Sequence, residues 1–179
     1  MKRVLFRSVY DAFDYVMDHF YPPGLEEMAE RRDSYAVISI QDTHTGGFGL
    51  EFKKNLYCRD VLTLYFDDIV RETEGAVMFT EEMAGEIISF IEKNMEAETL
   101  LVHCHGGASR SRAVAAFAVK LLGGDNGPYF STGLPNQAVY DILEAEWIRR
   151  KLTGDSPAAG GEKRNGDEKA LAGSDAGNI

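Results

Sequence analysis

Short runs of apolar and β-branched residues alternate with helix-spaced apolar residues along positions 1–152. The short runs are typical of buried strands and predict four of them, over residues 4–6, 35–40, 61–66 and 99–103. Helical spacing predicts helices over residues 11–20, 25–32 and 80–92, one after the fourth strand, and a last one near the end of this region. Because strands and helices alternate, we expect a single α/β domain with a central, mostly parallel sheet of about four to five strands flanked by helices.

Capping residues and apolar faces define the predicted helices more closely. The helix over 11–20 stops before Pro22 and Pro23, and the helix over 80–92 begins at the capping residue Thr80. The last helix is predicted to open at Pro135, after a connection that contains Gly, Asn and Pro. The residues expected to face the core are Ala84, Ile87, Ile88 and Ile91, then Val114, Phe117, Ala118 and Leu121, then Val139, Ile142, Leu143 and Trp147.

The composition changes after residue 152. Residues 153–179 are rich in Gly, Ala, Asp, Glu and Lys, contain no aromatic residue, and have only Leu171 and Ile179 as large aliphatic residues. Such a segment cannot bury enough apolar surface to offset the entropy that ordering would cost. We therefore expect one domain over residues 1–152 and a disordered C-terminal tail over residues 153–179, a solvated terminus rather than a regulatory arm.

The chain has 29 acidic and 19 basic residues and a formal net charge of −10. This charge opposes the approach of nucleic acid or an anionic membrane surface, so neither is an expected partner. No apolar run approaches the roughly 18 residues of a membrane span, and charged residues interrupt the N-terminal region. Two cysteines, Cys58 and Cys104, are too few for a disulfide framework, so we expect free thiols and a cytoplasmic protein.

A loop between the fourth strand and the next helix contains a cysteine, two glycines and an arginine. Gly106 and Gly107 allow successive backbone N–H groups to turn inward, and the following helix adds its positive dipole end, which favours an oxyanion. The planar guanidinium of Arg110 can donate two parallel hydrogen bonds to a phosphate. The same groups are expected to stabilise Cys104 as a thiolate nucleophile. This chemistry requires no metal ion and no cofactor.

The sequence His103-Cys104-His105-Gly106-Gly107-Ala108-Ser109-Arg110-Ser111 resembles the signature of the cysteine-dependent protein tyrosine and dual-specificity phosphatases. That signature is His-Cys, two residues, Gly, two residues, Arg and then Ser or Thr. The Ser-Arg-Ser ending and the compact size are most similar to the small, bacterial-type dual-specificity phosphatases. The resemblance implies a phosphatase-type loop in which five residues separate Cys104 from Arg110.

The resemblance also implies catalytic roles. Cys104 would attack phosphorus and form a phosphocysteine, with Arg110 stabilising the phosphate charge. The hydroxyl of Ser111 would assist departure of the thiolate when water cleaves that intermediate. His103 would orient the loop and help to stabilise the thiolate without touching the substrate.

The phosphate itself would be bound by the loop residues His105, Gly106, Gly107, Ala108, Ser109 and Arg110. Ser109 and Gly106 are expected to contribute backbone amides only. The ring of His105 either tunes substrate preference or faces solvent, and the sequence leaves both roles open.

A general acid must protonate the departing phenoxide or alkoxide, so a carboxylic acid is needed on a loop near the thiolate. Asp67 and Asp68 follow the strand predicted over 61–66, and parallel strands would bring them to the same sheet edge as Cys104. Position alone leaves both candidates open. The resemblance implies that Asp68 is the acid and that Asp67 is the alternative.

Together these features predict a protein phosphatase that hydrolyses phosphotyrosine, with or without phosphoserine and phosphothreonine, in a phosphorylated protein or peptide. Two alternatives stay open: a phosphatase of a phosphoinositide or of a nucleotide or RNA 5′-phosphate, and a phosphate-binding pseudophosphatase. The loop lacks the Lys of phosphoinositide-directed relatives and the Asn-Arg-Thr ending of RNA triphosphatase relatives. A rhodanese-like or arsenate-reducing enzyme fits less well, because no second Cys lies near the loop in sequence.

The segment upstream of the acid pair leaves further questions open. Phe48 or Tyr57 could wall the substrate pocket. The run Lys54-Asn55-Leu56-Tyr57 matches the phosphotyrosine-recognition segment of larger tyrosine phosphatases, but four-residue matches are common and the run lies too close to the signature. Cys58 is either a partner for Cys104 in a reversible disulfide or a bystander. The sequence does not indicate an oligomeric state.

Overall fold

Four strands form one parallel sheet in the computed structural model, which describes residues 1–21 and 33–154. The strands are β1 (Arg3–Ser8), β2 (Tyr35–Gln41), β3 (Cys58–Tyr65) and β4 (Thr99–Cys104). Their order across the sheet is β1-β4-β2-β3, and all three neighbouring pairs are parallel. The α/β class and the parallel sheet predicted from the alternation of elements are confirmed.

Five helices accompany these strands within the described ranges. They are α1 (Val9–Phe20), α2 (Glu81–Lys93), α3 (Arg110–Leu121), α4 (Gly127–Ser131) and α5 (Gln137–Thr153). None of the helices in this part of the chain is long and apolar enough to cross a membrane. The helix predicted over 25–32, the Pro22-Pro23 stop and all but the first two residues of the predicted tail lie outside the described residues, and the division at residue 152 stays a prediction.

Most predicted boundaries differ from the structure by one or two residues, and the differences at β3, α5 and α4 have identifiable causes. β3 begins at Cys58 and ends at Tyr65, so it starts earlier than the apolar run from residue 61 indicated. α5 begins after Asn136, whose side chain accepts a hydrogen bond from the N–H of Val139, and Pro135 precedes this cap instead of opening the helix. The short helix α4 falls in a stretch whose Gly, Asn and Pro content predicted only a connection.

Alternate side chains of the two central strands pack against different layers of helices, as the period of two along a strand requires. One apolar cluster combines Ile38 and Ile40 of β2 and Val102 of β4 with residues of α2, α3 and α5. The other combines Val37 and Leu101 with residues of α1. Both faces of β2 and β4 are therefore buried, which explains their nearly continuous apolar sequences.

The connection between β2 and β3 contains no helix. Adjacent parallel strands require a crossover that returns the chain to the starting edge of the sheet, and here residues 42–57 make that crossover in irregular conformation. The Phe52 ring stacks on Phe13 of α1 with ring centroids 4.2 Å apart, so this segment lies over the α1 face of the sheet. The crossover starts at the end of β2. Because β2 pairs with β4, this starting point lies beside the carboxyl end of β4 and close to the cysteine loop.

Removal of the Leu143 side chain should test the placement of α5. Leu143 is fully buried, so Leu143→Ala is expected to lower the free energy of unfolding by about 2–5 kcal/mol, from lost apolar burial and the cavity left behind. Leu152→Ala makes the same change on the same helix at a side chain that is 83% exposed, and should cost less than about 0.5 kcal/mol. Urea denaturation followed by circular dichroism measures both, and equal losses would contradict this packing.

Candidate active site

The carboxyl ends of the four parallel strands lie at one edge of the sheet. β1 ends at Ser8, β2 at Gln41, β3 at Tyr65 and β4 at Cys104. Residues that directly follow these strands therefore meet there, and the edge of such a sheet is where ligands of α/β proteins bind. The predicted acid pair and the predicted nucleophile come to this edge together.

Cys104 is the last residue of β4, and its side chain is buried. Its Sγ lies 3.2 Å from the Oγ of Ser111, in the first turn of α3. In the described part of the chain, the backbone N–H groups of residues 106–109 donate to no protein acceptor. The loop thus presents a thiol, a hydroxyl and a set of unused amide donors at the start of a helix, an arrangement suited to an oxyanion.

The loop is fixed against the start of α1, and Gly107 makes this possible. Its φ is +68°, and a Cβ at this position would overlap the backbone of Arg7 and Ser8. The carbonyl of His105 accepts a hydrogen bond of 3.3 Å from the N–H of Val9. Gly106 has open space where a Cβ would lie, so only the second glycine of the pair is required by close packing.

Arg110 is buried at the first position of α3 and is held from two sides. Its Nη1 donates a hydrogen bond of 2.6 Å to the carbonyl of Phe66, just after β3, and its Nη2 lies 2.6 Å from Oδ1 of Asp42, just after β2. Its Nε is buried without a hydrogen-bond partner among the described residues. Because an orphaned donor on a buried guanidinium is costly, an anion at this position would be stabilised.

Asp42 is a site residue that the sequence analysis missed. Besides pairing with Arg110, its carboxylate lies 3.7 Å from Nδ1 of His105, the residue that follows the cysteine. A carboxylate beside a buried guanidinium offsets the cost of burying that charge and restricts its rotation. The available signal was the same as for the acid pair: an aspartate directly after a predicted strand.

Arg112 is the second residue that was missed, and it fixes the end of the loop. Its Nε donates to the carbonyl of Ala108 at 3.1 Å, and its Nη1 donates to the carbonyl of Tyr129 and to the hydroxyl of Thr132. Its guanidinium also lies 4.7 Å from the ring centroid of Phe6, on β1. These contacts engage the guanidinium on several sides, which makes Arg112 a structural support of the loop.

Asp68, the predicted general acid, lies against the loop. Its Oδ1 accepts hydrogen bonds of 2.8 Å from the hydroxyl of Ser109 and from Nδ2 of Asn136. The side chain of Asp68 is otherwise exposed to solvent. The sequence analysis expected only a backbone role for Ser109, whereas its hydroxyl also contacts Asp68; the contribution of its amide to phosphate binding stays a prediction.

The contacts of Asp67 argue against it as the alternative acid. Thr43 donates to both carboxylate oxygens through its N–H and its hydroxyl, and the N–H of Val77 donates to Oδ2 at 2.8 Å. Burial opposes ionisation of Asp67, but these hydrogen bonds outweigh it and hold the pKa of the carboxyl below its usual range. Asp67 thus stays ionised and joins the start of the crossover to the segment after β3.

His103 lies on the α1 face of β4, opposite Cys104, and is fully buried. Its ring centroid is 5.3 Å from that of Phe52. Burial lowers the pKa of His103 to about 4, so the ring is neutral at neutral pH and supplies no positive charge to the thiolate. A role in orienting the loop stays a prediction.

His105 and Phe48 form an aromatic pair beside the loop. Their rings are nearly parallel, with centroids 5.0 Å apart and an interplanar angle of 22°. Phe48 belongs to the β2–β3 crossover and is held by its N–H, which donates to Oε1 of Gln41 at 2.9 Å. The His105 side chain is 63% exposed, so its ring contacts Phe48 and also faces solvent, and both roles stay open. Among the described residues, no group of His, Cys, Asp or Glu side chains is arranged to hold a metal ion.

Tyr57 and Cys58 lie far from the site, at the opposite edge of the sheet. Cys58 begins β3 whereas Cys104 ends β4, so the length of a strand, about 20 Å, separates them, and a disulfide needs Cα atoms within about 7 Å. Both thiols are free, and burial raises the pKa of Cys58 to about 11. Tyr57 is buried against Phe20 and Tyr21. Cys58 is therefore a bystander, and the proposal that Tyr57 walls the pocket is wrong.

No protein-family model matches the chain, and no curated protein matches it in sequence. Solved structures match it in fold. The human tyrosine phosphatase-like serine/threonine/tyrosine-interacting protein is 16% identical, and the match covers 83% of this chain and 93% of that chain with a TM-score of 0.51. Tk-PTP in its active form is 16% identical over 83% of this chain and 93% of that chain, with a TM-score of 0.47. Human DUSP28 is 16% identical over 86% and 95%, with a TM-score of 0.45.

At this level of identity, the first of these matches shows the fold alone. The chain has a tyrosine phosphatase-like fold, in line with the resemblance of its signature. The roles of the individual site residues stay predictions.

Alanine substitution of each loop glycine in turn should show which of the two is required by close packing. Gly107→Ala places a side chain at positive φ against the backbone of β1, and should lower the free energy of unfolding by about 1–3 kcal/mol from strain alone. Gly106→Ala enters open space at an ordinary φ and should cost less than about 0.5 kcal/mol. Thermal denaturation measures the difference, and equal stability of the two variants would contradict the contact between Gly107 and Ser8.

Proposed function

We propose that this protein is a cysteine-dependent phosphoric monoester hydrolase that acts on phosphotyrosine in proteins or peptides. The observation that carries the proposal is Arg110, whose buried guanidinium keeps an unpartnered Nε in the same loop as Cys104 and a set of unused backbone N–H donors. A buried, partly unsatisfied cation next to a nucleophile is the environment that a phosphate dianion would complete. The fold shared with tyrosine phosphatases supports this reading of the loop.

In the first half of the reaction, Cys104 attacks as a thiolate and Sγ bonds to phosphorus while the bond to the leaving oxygen breaks. Asp68 donates a proton to that oxygen, so the product departs as a neutral phenol or alcohol. The loop amides and Arg110 hold the equatorial oxygens, whose charge is best matched in the trigonal-bipyramidal transition state. A phosphocysteine remains on the enzyme.

In the second half, water attacks phosphorus and the Asp68 carboxylate accepts its proton. The bond between Sγ and phosphorus breaks, and inorganic phosphate leaves. The departing group is now the Cys104 thiolate, and the hydroxyl of Ser111, 3.2 Å from Sγ, can donate a hydrogen bond to it. This contact supports the role that the resemblance gave to Ser111.

The aromatic pair beside the loop favours an aryl phosphate over an alkyl phosphate. Phe48 stacks on His105, which directly follows the nucleophile, so a phenyl ring entering with its phosphate in the loop would pass an aromatic surface. The carboxylate of Asp42 also lies near His105, and the net charge of the protein is −10, so a polyanion such as RNA would be repelled. These features support phosphotyrosine as the substrate.

Turnover of a generic aryl phosphate tests the activity and the acid. Cys104→Ser should abolish turnover, because a hydroxyl does not ionise at neutral pH to replace the thiolate. Asp68→Asn should lower kcat/KM, which reports formation of the phosphocysteine, by about 10²- to 10⁴-fold for a poor leaving group and leave kcat/KM for a good leaving group nearly unaffected. Asp67→Asn is the matched comparison and should not show this dependence on leaving group. Full activity of Cys104→Ser would refute the proposal, and a wild-type enzyme that binds orthovanadate without turnover would identify a pseudophosphatase.

A panel of phosphopeptides tests the substrate class. Paired peptides that differ only in phosphotyrosine or phosphothreonine should show a higher kcat/KM for phosphotyrosine. Phe48→Ala should reduce that preference by about 2- to 10-fold, the value of one aromatic contact, whereas Phe48→Tyr retains the ring and should preserve it. Equal rates on both peptides, unchanged by Phe48→Ala, would show that the ring does not select the substrate.

A further inference from the structure

The side chain of Asp68 is held through only one of its two carboxylate oxygens. Both of its hydrogen bonds, from the hydroxyl of Ser109 and from Nδ2 of Asn136, converge on Oδ1, and each is 2.8 Å long. Among the described residues, no group donates a hydrogen bond to Oδ2 or forms an ion pair with it. The two oxygens of the same carboxyl group are therefore chemically distinct in this structure.

Asn136 is itself fixed in orientation. Its Nδ2 also donates to the carbonyl of Ile69 at 3.2 Å, and its Oδ1 accepts from the N–H of Val139 as the cap of α5. Its backbone N–H donates to the carbonyl of Ser109 at 3.2 Å. A flipped amide would point its oxygen at Asp68 and the Ile69 carbonyl and lose the cap, so the contacts allow only one orientation. Asn136 is nearly fully buried, so this geometry does not depend on solvent.

Among the described residues, the hydroxyl of Ser109 hydrogen-bonds to Asp68 and to no other group. It precedes α3 at the capping position, but its side chain makes no capping hydrogen bond to the helix. Its Oγ is instead directed to Asp68, in the segment that follows β3. The loop that would bind phosphate and the segment that carries the acid are therefore joined at this contact and through Asn136.

We propose that Asn136 and Ser109 form a two-donor clamp that determines which oxygen of Asp68 carries the catalytic proton. An oxygen that accepts two hydrogen bonds has no free lone pair for a proton, so a neutral Asp68 is protonated on Oδ2. In the proposed reaction, that proton moves from Oδ2 to the leaving oxygen and the bond between phosphorus and the leaving oxygen breaks. The inference rests on the proposed function, because it assigns Asn136 as a positioning residue for the acid of that reaction.

The clamp also has an energetic consequence. Asp68 is exposed and follows an edge strand, so without the two donors its side chain would sample several rotamers and either oxygen could carry the proton. Much of the rate enhancement from a general acid depends on its correct placement, because the donor and acceptor atoms must lie within hydrogen-bond distance for the proton to transfer. Loss of the clamp should therefore resemble a partial loss of Asp68 itself and should affect only steps that need the proton.

The test uses variants that remove one donor without removing a helix cap. Asn136→Ser keeps a side-chain oxygen that can cap α5 but cannot reach Asp68 as the amide nitrogen does. Ser109→Ala removes a hydroxyl that makes no cap bond. Asn126→Ser is the matched control: Asn126 also precedes a helix and donates one hydrogen bond, to the hydroxyl of Tyr140, but it does not contact the acid or the loop.

Each variant is assayed on two aryl phosphates, one with a strongly acidic phenol and one with a weakly acidic phenol. Asn136→Ser and Ser109→Ala should each reduce kcat/KM for the weakly acidic phenol by roughly tenfold, part of the whole effect of a general acid, and change kcat/KM for the strongly acidic phenol by less than about twofold. The comparison uses kcat/KM because it reports the step in which the phenol leaves. Asn126→Ser should leave both rates unchanged. The same substitution in an Asp68→Asn background should have no further effect on leaving-group dependence, because the clamp acts only through Asp68.

Three outcomes are distinguishable. If Asp68→Asn shows no dependence on leaving group, the proposed acid is wrong and the clamp fails with it. If Asp68→Asn shows the dependence but Asn136→Ser and Ser109→Ala do not, the acid stands and the clamp is overturned. If Asn136→Ser lowers both substrates equally, or lowers the rate further in the Asp68→Asn background, Asn136 supports the fold and not the proton, which also overturns the proposal.

Discussion

The parallel direction of all four described strands is the constraint on which the site depends. Because each strand of β2, β3 and β4 ends at the same edge, the residues that follow them converge: Asp42, Asp68 and the loop from Cys104. If β3 ran in the opposite direction, its end would lie about 25 Å away, at the far edge. The sheet thus brings together residues from three separate parts of the sequence.

The buried charge of Arg110 connects those strand ends energetically. A guanidinium removed from water is costly unless its donors are satisfied, and here the ends of β2 and β3 provide a carboxylate and a carbonyl. Nε is left without a partner in the described structure. These two contacts offset most of the cost of burying the guanidinium and leave Nε as one directed donor, which the proposed function assigns to the phosphate.

Local patterns in the sequence predict the strands, most of the helices and the cysteine loop, because each depends on residues close together in the chain. Asp42 was missed because its contact with Arg110 requires β2 to lie beside β4, and no local pattern encodes the order of strands. The interpretation of Tyr57 failed for the same reason, since nearness in sequence to Phe48 does not indicate which edge of the sheet a residue occupies. The side-chain role of Ser109 depends on a partner, Asp68, that lies 41 positions away.

The crossover over residues 42–57 connects two neighbouring strands without a helix or a ladder of its own. Irregular segments of this kind accept insertions and substitutions with little effect on the sheet, whose hydrogen bonds lie elsewhere. The same segment carries Phe48, the wall of the site, whereas Cys104, Arg110 and Ser111 belong to a strand, a loop and a helix that the core fixes. Under the proposed function, substrate recognition and the reaction would therefore belong to separable parts of one chain, and descendants of this sequence could change the substrate they select while keeping the same reaction.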